Sequence, residues 1–239
     1  MPRLLKIALV SGFCMAAGAS WSLWADWNRT ESALAHDTLP FYASADLWPR
    51  WDRVSSVLRV SNFQFTDHRQ AVVDERVLDG GPTVVNLFFA GCVSVCPVSM
   101  DLLRTLQASL GAQAPRFMSL TVSPLTDDAR ALADYTSKFG LPKEWVLLTG
   151  QPQAVEAWAR HSLYSDITKL GADGLPPHTE RAFLIDRRHR IRGIYDARSP
   201  HEMVRLRYDI ARLKQEDAPA GGQLTSGSSP SETAAVVRR

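Results

Sequence analysis

Polar and apolar positions change rhythm several times along the chain. Over residues 58–66 they alternate, with Leu58, Val60, Phe63 and Phe65 apolar, Arg59, Ser61 and Gln64 polar, and one slip near Asn62. A period of two sets one face of a strand against a core. A turn at Asp67-His68-Arg69-Gln70 and a short run Ala71-Val72-Val73 then predict a leading β-hairpin. Asp79-Gly80-Gly81-Pro82 breaks the pattern. Residues 83–89 (TVVNLFF) are almost continuously apolar and rich in β-branched and aromatic side chains. Such a run suits a central strand buried on both faces.

The period then lengthens. Met100, Leu103, Leu106 and Leu110 recur at spacings of three and four, which predicts a helix over 95–110. Pro97 falls in its first turn, where a missing N–H costs nothing. A buried strand is expected at 117–122. A helix over 126–139 should start at Thr126-Asp127-Asp128 and end at Gly140. A short strand at 146–148, a helix at 151–160 and a strand pair at 182–186 and 191–195 follow. The joining run Arg187-Arg188-His189-Arg190 reads as a solvated hairpin turn. Ser199 starts a last helix to about residue 215. A hairpin followed by β-α-β-α-β-α-β-β-α indicates a layered α/β sheet. The expected fold is thioredoxin-like with an N-terminal β-hairpin extension, and residues 58–215 suffice for one domain.

The two ends differ from this core. Arg3 and Lys6 precede 19 residues, 7–25, that carry no charge. As a helix they would span roughly 28 Å, enough for a bilayer core. Trp21, Trp24 and Trp27 cluster where the run ends, which suits a membrane interface. The alternative is a cleaved signal peptide, with Ala17-Gly18-Ala19 as the small-residue site. Under both readings the basic flank stays inside and the remainder is exported: a periplasmic domain anchored in the inner membrane, or a soluble periplasmic one. Cys14 inside the run reads as an apolar helix residue, since Phe13 stands where a lipoprotein site needs a small side chain. Residues 26–57 read as a polar, Trp-containing linker or first small element. Residues 216–239, rich in Gly, Ser, Pro, Thr and Ala, read as a disordered tail. The 239 residues carry 27 basic against 25 acidic side chains, too even a balance for a nucleic-acid footprint. No period of repetition suggests a solenoid.

Two cysteines remain in the exported part, Cys92 and Cys96, four positions apart. Cys92 follows the buried strand, and Cys96 sits in the first helical turn. A helix N-terminus offers unpaired N–H groups and partial positive charge, and both stabilise a thiolate. The pair can form a redox disulfide, act as a structural staple, or bind a soft ion such as Cu(I). A closed zinc site lacks a second cysteine pair. His178, in Leu175-Pro176-Pro177-His178, reads by itself as a loop residue. His36, His68, His161, His189 and His201 are scattered and read as surface or structural.

The run Phe88-Phe89-Ala90-Gly91-Cys92-Val93-Ser94-Val95-Cys96-Pro97 resembles the CxxxCP signature of the Sco/SenC family. His178 precedes Phe183-Leu184-Ile185-Asp186 at the family's spacing. Val122-Ser123-Pro124 and Asp127 occupy the place of the family's Val-Asp-Pro segment and following aspartate. The resemblance covers about 58–215. It implies a membrane-anchored thioredoxin-fold protein that delivers copper to the CuA site of cytochrome c oxidase or to another cuproprotein. Cys92, Cys96 and His178 would be the ligands of Cu(I), with Cu(II) as a second state. It also implies an alternative: a thiol-disulfide oxidoreductase that keeps a partner's cysteines reduced through Cys92 and Cys96. Three departures stand out. Val93 and Ser94 replace the family's Pro-Asp, Ser123 replaces its aspartate, and Ala90-Gly91 replaces its Phe-Thr. The peroxiredoxin pattern is absent, since Val85 and Phe89 stand where it needs Pro and Thr or Ser.

Overall fold

The computed structural model describes residues 38–43, 47–51, 56–93, 95–168 and 180–218. Two short strands, β1 (Phe41–Tyr42) and β2 (Pro49–Arg50), pair antiparallel within the region read as a linker. The leading hairpin is β3 (Gln64–Asp67) and β4 (Val72–Asp74). Then come β5 (Thr83–Phe88), α1 (Val95–Leu110), β6 (Arg116–Thr121), α2 (Ala129–Phe139), β7 (Val146–Thr149) and α3 (Pro152–Leu163). The second hairpin, β8 (Arg181–Ile185) and β9 (Ile191–Asp196), and α4 (Pro200–Asp217) follow. The element order is the one the sequence predicts: a thioredoxin-like α/β fold with an N-terminal hairpin.

The first strand is shorter than its alternation suggests. Only residues 64–67 pair along a ladder, while Arg59 makes a single bridge to Arg190. Between them the chain bends: the Ser61 N–H donates to Ser162 Oγ at 2.9 Å, and the Trp158 indole donates to the Ser61 carbonyl at 3.0 Å. A stretch whose backbone partners lie on a helix cannot extend a sheet.

One sheet runs β4-β3-β7-β6-β5-β8-β9. Strands β5, β6 and β7 are parallel, and the outer pairs are antiparallel. All six residues of β5 are buried, as befits the central strand. Alternate residues feed two cores. Val84, Phe88, Phe117 and Leu147 face α1, α2 and α4, together with Leu103, Leu132 and Leu206. Val85, Leu87, Met118 and Leu148 face α3, together with Val155, Trp158 and Phe65. Helix ends follow their sequence signals. Asp128 caps α2 by accepting the Ala131 N–H at 2.8 Å. Gly140 ends it at φ 58°, a conformation that favours glycine. Ser199 caps α4, which runs two residues past its expected end. There Glu216 accepts from the Leu39 N–H at 2.6 Å and pairs with buried Arg192 at 2.6 Å.

The expected anchor at 1–25 and most of the expected tail lie outside the described residues. Among the described residues no helix is long and apolar enough to cross a membrane.

Candidate functional site: a buried cysteine pair

The C-terminal ends of β5, β6 and β7 share one end of the sheet. The chain leaves β5 there through Phe89-Ala90-Gly91 and enters α1. Cys92 lies in this loop and Cys96 in the first turn of α1, with Pro97 beside it. Both cysteines are buried, at 5% and 2% exposure. The Cys92 N–H donates to the Phe89 carbonyl at 3.2 Å, which closes the loop. The Cys96 N–H then donates to Cys92 Sγ at 3.3 Å. This N–H is one of those a helix start leaves without an intrahelical acceptor. The fold thus aims a helix-terminal donor at the first sulfur, the placement that stabilises negative charge on it.

A second loop supports the first. After β6, the Val122 N–H donates to the Phe88 carbonyl at 2.8 Å. Asp127, buried at 3% exposure, ties the two loops together. Its Oδ2 accepts from the Ala90 N–H at 2.8 Å and from the Thr121 hydroxyl at 2.6 Å. Its Oδ1 accepts from the Thr126 hydroxyl at 3.1 Å. All three donors are neutral, so no cation shares the site with this carboxylate among the described residues. Each of these two loops also exposes one large apolar side chain, Val93 at 94% and Leu125 at 85%.

The sequence analysis paired Cys92 with Cys96 and named Asp127 only at a helix start and in a family segment; the structure ties Asp127 to the loop that carries Cys92. Tyr135 was missed. This residue belongs to the buried face of α2, and its ring stacks on Phe139 at 4.3 Å and tilts against Phe88 at 5.2 Å. Burial, and after it the negative charges of Cys96, Cys92 and Asp127, push its phenol well above the ordinary range. A tyrosine in line with Leu132 and Phe139 looks like core in the sequence; only the fold shows what its hydroxyl faces.

His178 lies outside the described residues. The strand that follows it, β8, begins beside the end of β5, where Asn86 faces Ala182. His68 and His189 sit in turns: His68 Nδ1 accepts the Leu147 N–H at 3.3 Å, and His189 pairs with Asp79 at 2.7 Å. Among the described residues no three His, Cys, Asp or Glu side chains are grouped to hold a metal ion. Two buried sulfurs suit a soft, monovalent ion.

A buried cysteine pair at the strand–helix junction of such a sheet defines a thioredoxin-like dithiol protein. The family profile described as SCO1/SenC matches residues 55–213, and the chain belongs to that family. Solved structures agree in fold. A SCO1/SenC family lipoprotein from Bacillus anthracis str. Ames is 24% identical over 66% of this chain and 95% of its own, with a TM-score of 0.61. BsSco, described as a Sco family cytochrome c oxidase assembly protein with a disulfide switch, is 21% identical over 66% and 94%, with a TM-score of 0.60. ScoI of Bradyrhizobium japonicum, with copper bound, is 21% identical over 66% and 99%, with a TM-score of 0.55. No curated protein matches the chain.

Proposed function

We propose that this protein carries copper for the assembly of cytochrome c oxidase or another respiratory cuproprotein. Cu(I) is the cargo, held by the sulfurs of Cys92 and Cys96 and by the imidazole of His178. The observation that carries this reading is the buried sulfur pair with a helix N–H on Cys92 Sγ. Soft thiolates prefer Cu(I), and an imidazole completes a three-coordinate site. A loop that ends two residues after His178 joins β8 at the sheet end holding the cysteines, which supports the third ligand. Val93 and Leu125, exposed on the loops after β5 and β6, would be available to a recipient's surface during transfer. Residues 7–25 would anchor the domain at the inner membrane on its periplasmic side, with 26–57 between them and a free tail only after α4, since Glu216 is held by Leu39 and Arg192.

The second reading is a periplasmic thiol-disulfide oxidoreductase. The absence of the family's acidic residues at Ser94 and Ser123 favours it, as does the same cysteine geometry. Competition for Cu(I) against a chelator, run beside a disulfide-reduction assay, separates the two. His178→Ala should weaken Cu(I) binding strongly and leave the Cys92–Cys96 disulfide able to form and be reduced. Cys92→Ser and Cys96→Ser should damage both activities. Parent-like Cu(I) affinity in His178→Ala removes His178 as a ligand. A reduced parent protein that binds no Cu(I) leaves the oxidoreductase reading in place.

A further inference from the structure

The chain enters the domain at the end of the sheet away from the cysteines. Leu39 is held there: its N–H donates to Glu216 in the last turn of α4 at 2.6 Å, and its carbonyl accepts from Arg192 at 2.8 Å. Beside Glu216, Lys214 donates to the Gln113 carbonyl before β6, and Asp217 faces Arg187 in the β8–β9 turn at 3.8 Å. Only residues 26–37 separate Thr38 from the uncharged run 7–25. Such a stretch reaches about 40 Å at full extension. A tether of that length lets any face of the domain meet the bilayer, so surface chemistry selects the face. That chemistry differs between the two ends of the sheet. At the entry end four exposed cations, Arg59, Lys138, Lys143 and Arg188, have no carboxylate partner among the described residues. The Arg59 guanidinium donates to the Arg188 carbonyl, which sets two of them side by side. Arg69 and Arg190 answer the buried Asp67 and Asp186. The exposed carboxylates here are Asp79, paired with the His189 ring, and Glu144. At the cysteine end, residues 89–94 and 122–128 include no base and two acids, Asp127 and Asp128.

We propose that this basic end docks on a bilayer surface bearing anionic phospholipid headgroups, so that the domain stands with Cys92 and Cys96 pointing away from the membrane. The inference deepens the function proposed above and rests on its reading of residues 7–25 as an anchor. Lys143 precedes β7 and Arg188 joins β8 to β9, three to four strands further across the sheet. At about 4.8 Å between strands the cations are spread over roughly 15–20 Å. That spread suits an extended charged plane rather than one small anion. The attraction is electrostatic and falls off within a Debye length, so it acts only when this end lies against the headgroups. The central strand β5, Thr83–Phe88, separates the two ends. Its six residues hold the cysteine loop about 20 Å above the docked surface. A recipient would have to bring its own site to that height, which suits a domain standing off the membrane rather than a site within the bilayer.

The test uses the full chain in lipid nanodiscs of phosphatidylcholine, with or without phosphatidylglycerol. Acylation of Lys138 by a water-soluble ester, read by mass spectrometry, reports on the face. Docking should slow Lys138 in the anionic discs alone, and high salt should restore its rate. Lys143→Gln with Arg188→Gln removes two cations that have no carboxylate to lose, so the melting temperature should match that of the parent. At about fivefold per basic residue near an anionic surface, this variant should undock roughly 25-fold more readily, and Lys138 should regain its neutral-disc rate. Equal rates in the two discs, or protection that survives both salt and the variant, overturns the proposal. Protection that follows protein concentration and ignores lipid charge assigns the face to a second copy and overturns it too. Should the variant not fold, the salt series on the parent decides alone. A chain that stays soluble without discs removes the anchor, and docking is then read by flotation with vesicles of the same lipids. There the parent should rise with anionic vesicles only, and a parent that stays behind overturns the docking. None of these readings involves copper, so a parent that binds no Cu(I) sinks the carrier function and leaves this inference standing.

Discussion

The two ends of the sheet solve the same problem with different chemistry. At the end away from the cysteines, two hairpin turns are built alike. Asp67 accepts the N–H groups of Arg69 at 2.8 Å and Ala71 at 2.9 Å, and the Arg69 side chain at 2.9 Å. Asp186 accepts the N–H groups of Arg188 and Arg190, both at 2.9 Å, and the Arg190 side chain at 2.7 Å. Each turn ends on a residue with positive φ, Gln70 at 66° and His189 at 62°. Each carboxylate is buried, and each is neutralised by arginine. At the cysteine end, Asp127 is equally buried, yet its donors are two hydroxyls and one amide. The first arrangement locks a turn. The second ties the loop that carries Cys92 to the loop after β6 with no arginine on the carboxylate among the described residues.

The comparison predicts that stability and site function separate along the sheet. Asp186→Ala should have the largest effect on folding. It strips a 0% exposed carboxylate from Arg190 and from Arg192, which is itself 2% exposed. Arg192 keeps Glu216 and the carbonyls of Leu39 and Pro40. A buried pair broken on one side costs about 3–5 kcal/mol. Urea unfolding should show this loss while the folded variant keeps the dithiol-exchange equilibrium of the parent. A shifted equilibrium would mean that the two ends are not independent.

Asp127→Ala should cost less and do more at the site. It leaves the Ala90 N–H and the Thr121 hydroxyl without their acceptor, a loss of about 2–4 kcal/mol at the usual cost per orphaned donor. The Cys92 loop also loses its tie to the β6–α2 loop. Hydrogen exchange at Ala90 and Cys92 should speed up, and the dithiol-exchange equilibrium should move. Faster exchange confined to the hairpin turns would contradict the assignment of Asp127 as the tie.

Much of this was legible in the sequence, and the failures have a common cause. Helix α1 was readable because its apolar spacing and Pro97 agree, and α2 because Asp128 and Gly140 mark its ends. The cysteine pair was readable because strand and helix patterns meet at Cys92. The small β1–β2 sheet was not readable, because it depends on Arg192, whose guanidinium binds the carbonyls of Leu39 and Pro40 from about 150 residues away in the chain. Asp127 could be noticed by position, but its partners on another loop could not. Tyr135 was hidden because periodicity reports which face is buried and is silent about what a polar tip meets there. Contacts between distant segments leave no local pattern.

A pH series isolates one of the two twin carboxylates. Burial alone would raise the Asp67 carboxyl, but the N–H of Ala71 and the side chain and N–H of Arg69 outweigh it and hold it below the usual range. The unfolded chain, near 3.9 for an aspartate, therefore takes up the proton first as pH falls. The stabilisation is present in full above the unfolded value and is lost as pH drops through the folded one. Urea midpoints from pH 7 to pH 3 should fall more steeply for the parent than for Asp67→Asn. Parallel curves would show that this turn is not held by its charge.

The smallest effect compares the two turns most finely. Gln70 and His189 both occupy a left-handed conformation that costs a side-chain-bearing residue about 1 kcal/mol or more and costs glycine almost nothing. Glycine also gives the unfolded chain extra freedom, which takes back roughly 0.5–1 kcal/mol. Gln70 is exposed, and only its backbone serves the turn, where the N–H donates to the Asp67 carbonyl at 2.9 Å. Gln70→Gly should therefore gain a few tenths of a kcal/mol, about 1–2 °C in melting temperature for a domain of this size. His189 has the same backbone bond, to the Asp186 carbonyl at 2.8 Å, and in addition its ring pairs with Asp79 at 2.7 Å. His189→Gly gains the same relief and loses that contact, so its melting temperature should not rise. The difference between the two variants, rather than either value alone, measures what the imidazole adds to an otherwise identical turn. If His189→Gly gains as much as Gln70→Gly, the Asp79 pair contributes nothing and the two turns are equivalent in energy as well as in geometry.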